Sequence, residues 1–142
     1  MSIMRLRAFT LLPGLVMLVQ AVFFVIDPEQ ALKGVGMPLL DGIARSTQIG
    51  DIGSIFVFGA CLISYAVYRL ESHWLKAGAL MMSIIAIMRF LAWYLHGAAL
   101  TLNFIIIEII IAGWLWISAR AMDGLSGKGE EDSEFTESLD TE

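Results

Sequence analysis

The chain has 142 residues, 58% of them hydrophobic, with mean hydropathy +0.76. That is too apolar for an ordinary soluble domain, where about half is typical. The formal charge of −5, with no basic stripe, excludes nucleic acid as a partner, and the single Cys61 excludes an intramolecular disulfide and any CxxC metal or redox motif. The charge is unevenly placed: eight acids against Lys128 alone give residues 123–142 a net −7, leaving +2 on the rest of the chain.

Four apolar runs are long enough to cross a hydrocarbon layer of about 30 Å, which needs roughly 20 helical residues each. After a short basic start with Arg5 and Arg7, the first runs from Ala8 to Ile26 without a charge. A signal peptide cut after Val19-Gln20-Ala21 is the rival reading, but the apolar run outlasts a usual signal core, so an uncleaved span is expected. Pro13-Gly14 should loosen its early turns, with neighbouring helices satisfying the freed carbonyl.

Asp27-Pro28-Glu29-Gln30 is a helix start: an acceptor at the cap, a proline at the first helical position and Gln30 three residues after the cap. The short helix Pro28 to Gly34 should lie at the membrane surface, and Met37 to Gly42 reads as a connector. The second span is expected from about Gly50 to Tyr68, with Asp51 in its first turn, where the helix dipole alone favours an acid. A polar loop from Arg69 to Lys76 follows. The third span is read at about Ala77 to His96 and the fourth at about Ala99 to Ala119, with Trp93, Tyr94, Trp114 and Trp116 as interfacial aromatics. Residues 1–120 form one membrane domain, and the acidic tail, 121–142, is expected to be disordered and cytoplasmic.

Two lone charges stand inside the third and fourth spans, Arg89 and Glu108. Such charges usually face a protein interior or a water-filled cavity. Counted from the turn at His96-Gly97-Ala98, both lie about 12–15 Å deep, so antiparallel neighbours bring them together. An Arg89–Glu108 ion pair facing the bundle interior is the expectation. With Gln20, Arg45, Gln48, Asp51, Trp93 and His96 it outlines a polar pocket opening outward. The structural alternatives are a pair that only fixes helix register, a surface His96 and a dipole acid at Asp51. No spacing matches a metal site, and neither a phosphate loop nor a nucleophile elbow is present, so no cofactor, metal or catalytic residue is assigned.

Arg45, Gly50, Gly53, Arg89, Gly97 and Glu108 together resemble the bacterial four-span family catalogued as domain of unknown function 4345, over about Arg7 to Ala119. A fainter likeness, around Phe90 to Ala99, is to the eukaryotic four-span scaffold of sterol C4-demethylation, although that family's third-span Glu is Trp93 here. Neither resemblance implies an activity.

The expected fold is an all-α integral membrane four-helix bundle with a short interfacial helix between spans one and two. Lys and Arg bias in the short loops favours both termini in the cytoplasm, and the expected location is the cell inner membrane. The first functional expectation is a non-enzymatic accessory or scaffold protein, with the bilayer and another membrane protein or a second copy as partners. Its alternatives are a small-molecule or lipid binding or transport protein using the outward pocket, and an enzyme using a buried carboxylate for proton transfer.

Overall fold

The computed structural model describes residues 3–140, with side chains as far as Leu125. Among the described residues there is no strand. Helix α1 is Ile3–Ile26 and α2 is Pro28–Gly34. Helix α3 (Gly42–Thr47), a π-helical turn (Gln48–Ile52) and α4 (Gly53–Arg69) run into one rod. Helix α5 is Ser72–His96, and α6 is Leu102–Asp140, of which Leu102–Leu125 is long and apolar enough to cross a membrane. The same holds for Ile3–Ile26, Gly42–Arg69 and Ser72–His96. The chain is thus an all-α membrane bundle of four spans, as the apolar runs require. The expected disordered tail lies mostly outside the residues whose side chains are described.

Several boundaries differ from the sequence reading. The second rod starts at Gly42 rather than Gly50, so residues 43–49, between the expected connector and the expected span, are helical. The polar loop expected over Arg69 to Lys76 shrinks to Leu70 and Glu71, and the fourth span starts at Leu102 rather than Ala99. The residues added in the first two cases include polar ones, which a count of apolar run length leaves outside a span. Polar side chains are compatible with helix where they reach the interface or bond to neighbours, and hydropathy alone does not see that.

The capping signal at Asp27 is realised. Its carboxylate accepts from the backbone N–H of Gln30 at 3.1 Å, and Pro28 opens α2. Gly97 ends α5 in the left-handed region (φ 64°), where a residue without Cβ is unstrained, and its N–H closes onto the Trp93 carbonyl.

Helix α1 lies against α4, α4 against α5, α5 against α6 and α6 against α1, closing an up-and-down ring. Gly14 allows the α1–α4 approach: a Cβ there would stand 3.0 Å from Ile63 Cγ2. The main apolar core, with Leu6, Ile63, Leu75, Leu115 and Met122 nearly inaccessible, occupies the half of the bundle that holds the start of α1 and the end of α4. A second, smaller cluster of Phe24, Ala31 and Leu32 joins α1, α2 and α4 at the opposite, hairpin end. The hairpin ends of α5 and α6 belong to neither cluster. There the inward stripe of α5 passes from buried Ala86 through half-buried Arg89 to exposed Trp93 and His96.

Proline 13 shows how neighbouring helices repair a break. Lacking an N–H, it leaves the Phe9 carbonyl without its helical donor. The indole N–H of Trp114, on α6, donates to that carbonyl at 3.2 Å, and the Phe9 and Trp114 rings stack with centroids 4.6 Å apart. Trp114 therefore ties α6 to α1 rather than serving only as an interfacial aromatic.

Candidate functional site

Arg89 on α5 and Glu108 on α6 meet as their depths require. The Arg89 Nε–H donates to Glu108 Oε1 at 2.6 Å. The Glu108 side chain is 12% exposed and that of Arg89 32%. The guanidinium also stands 5.0 Å from the Phe104 ring centroid, one turn up α6 from Glu108, a cation–π contact that adds to its desolvated environment. The bond uses Nε alone. Among the described residues neither Arg89 Nη makes a hydrogen bond, and Glu108 Oε2 is buried without a partner. An isolated charge at this depth costs several kcal/mol, and the partner charge offsets it. The unpaired oxygen leaves a residual cost of about 1–3 kcal/mol in the pair's arrangement.

The other candidate residues go elsewhere. Gln20 donates from Nε2 to the Ala31 carbonyl at 3.3 Å, pinning α2 against the end of α1. Gln48 is buried and staples the connector twice: Oε1 accepts from Leu40 N–H at 2.9 Å and Nε2 donates to the Pro38 carbonyl at 3.0 Å. Arg45 lies on the surface, donating to the Leu40 carbonyl and to Asp41 Oδ1 at 2.6 Å. Asp51 is exposed within the π-helical turn. Trp93 and His96 are exposed at the hairpin end, with the Trp93 ring against Phe90 and Tyr94.

Among the described residues, the hydrogen bonds and ion pairs of these eight join only Arg89 to Glu108, and Gln20, Arg45 and Gln48 bond to other parts of the chain. Equal depth allows Arg89 and Glu108 to meet, but depth does not fix lateral position around a ring of helices. Gln48 and Arg45 turn to their own connector because its carbonyls and N–H groups need partners nearby. Cavities among the described residues are lined mainly by apolar side chains. One of them, about 720 Å³, is a groove between α5 and α6, lined by neither member of the ion pair. No periodicity argument singled it out, because a groove depends on which small residues face each other across two helices.

What the arrangement can do chemically is limited and specific. Gln20 and Gln48 hold backbone groups of the connector. The ion pair holds two helices at matched depth, and its arginine side chain stays partly exposed. Comparison with known proteins finds no matching family model, curated protein or solved structure, so the resemblances noted in the sequence carry nothing further into the function.

Proposed function

We propose that this membrane protein is a non-enzymatic accessory or scaffold component of the cell inner membrane, with both termini cytoplasmic. The observation that carries the reading is the use to which its polar side chains are put. Gln20, Arg45 and Gln48 bond to the protein's own backbone, and Arg89 and Glu108 bond to each other. None of them lines the large groove. The Lys and Arg bias of the short loops supports the orientation.

In this reading the ion pair fixes the register of α5 on α6 where apolar packing is thin. Exchanging the charges tests it. Arg89→Glu or Glu108→Arg alone should destabilise the bundle by about 3 kcal/mol, since each leaves two like charges at mid-depth. The double exchange should recover most of that loss in thermal denaturation and should complement a deletion strain. Native mass spectrometry after mild-detergent extraction should find the chain in a complex with another membrane protein.

A second reading, a small-molecule or lipid binding protein, is favoured by the two Arg89 Nη groups, which have no hydrogen-bond acceptor among the described residues. A charge-exchanged protein that folds yet fails to complement, and that runs as a lone monomer, would favour it over a scaffold.

A further inference from the structure

The two ends of the groove between α5 and α6 differ. Its floor is made of small residues, Ala79, Ser83 and Ala86 on α5 and Ala112 and Gly113 on α6. Ser83 presents no free donor there, because its hydroxyl bonds to the Ala79 carbonyl at 2.9 Å. A Cβ added at Gly113 would meet nothing within 4 Å, so the open space at this glycine serves no contact inside the chain.

One end is cationic. Lys76 lines the groove where α5 begins, and Trp116 lines the facing wall with the Arg120 guanidinium over its ring at 5.8 Å. Lys76 bonds to Asp123 at 2.9 Å. Two cations and one acid leave that mouth with one net positive charge. The other end, at Phe90 and Ile105, is apolar.

Length identifies what fits. From Lys76 to Phe90 the groove runs about 21 Å at 1.5 Å rise per residue. One leaflet of hydrocarbon is about 15 Å deep, with roughly 5–7 Å of headgroup region beyond it. The groove thus covers a single leaflet, with its cationic mouth at headgroup level.

We propose that this groove is a binding site for one anionic phospholipid, an acyl chain lying over Ala86 and Gly113 and the phosphate held between Lys76 and Arg120. The lipid comes from the leaflet on the side of the chain termini. The site is separate from the Arg89–Glu108 pair.

Native mass spectrometry of the full chain tests this. The detergent-purified protein is titrated with phosphatidylglycerol or with phosphatidylcholine carrying the same acyl chains. One phosphatidylglycerol should be retained with about fivefold preference, the effect of one net cation near an anionic headgroup. Arg120→Gln should bring the preference close to unity. Gly113→Leu, which fills open space and favours helix, should reduce retention of both lipids. Equal retention of the two lipids, a preference untouched by Arg120→Gln, or retention untouched by Gly113→Leu each overturns the proposal. So does a dimer whose second copy occupies the groove and excludes lipid.

Discussion

Glu108 and Glu71 show how differently a carboxylate is held inside and outside the spans. Glu108 has one oxygen on Arg89 and the other buried without a partner, so its place depends on a single opposite charge. Glu71 sits in the short turn between α4 and α5, with several donors around it. The Trp74 indole N–H donates to Oε2 at 2.8 Å and Arg69 Nε to Oε1 at 3.3 Å. The Trp74 bond, helped by Arg69, holds its carboxyl below the ordinary carboxylate range. A depressed acid contributes stability that is complete above its unfolded value and disappears as pH falls through its folded value. Thermal denaturation should therefore show the protein losing stability on acidification through and below that ordinary range. Glu71→Gln should lessen the slope there while leaving the neutral and alkaline range flat. Because Glu71 is partly solvent-exposed, the effect should be small.

At the scale of the helix, the Pro13 break and its repair are a coupled pair separated by about a hundred residues. Trp114→Phe keeps the ring stack on Phe9 but removes the donor, leaving the Phe9 carbonyl unsatisfied. Pro13→Ala restores a backbone donor to that carbonyl, so the indole bond becomes redundant. In a double-mutant cycle Trp114→Phe should cost about 1 kcal/mol in the natural background and close to nothing with Ala at position 13. Equal costs in the two backgrounds would mean that the indole bond contributes nothing to the joining of α6 and α1. The connector follows the same logic: Gln48 satisfies both a donor and an acceptor of Leu40 and Pro38, and so fixes a segment that has no regular hydrogen bonding of its own.

Across the whole molecule the apolar packing is lopsided. The main core joins all four spans in the half that holds the start of α1 and the end of α4. In the other half the apolar cluster joins only α1, α2 and α4, and the hairpin ends of α5 and α6 rely on the ion pair and the Phe104 contact. Local opening follows thin packing. Hydrogen-exchange mass spectrometry should find the α5 segment after Arg89 and the α6 segment before Glu108 exchanging ahead of the core-facing segments around Leu75 and Leu115. Glu108→Gln should extend that early exchange along both helices. Uniform protection along α5 would show that the ion pair adds nothing to the packing there.

The sequence by itself determined the number of spans, the short capped helix at Pro28–Gly34 and the depth match of Arg89 and Glu108. Each follows from local quantities: run length against bilayer thickness, a cap acceptor beside a proline, and rise per residue from a shared turn. Only the tertiary structure decided where Gln20, Arg45 and Gln48 point, that Trp114 completes the backbone bond lost at Pro13, and that α5 and α6 leave an apolar groove between them. Those depend on the rotation of each helix about its axis and on which neighbour it meets in the ring. In spans that are apolar almost all round, hydrophobic periodicity is too weak to specify either.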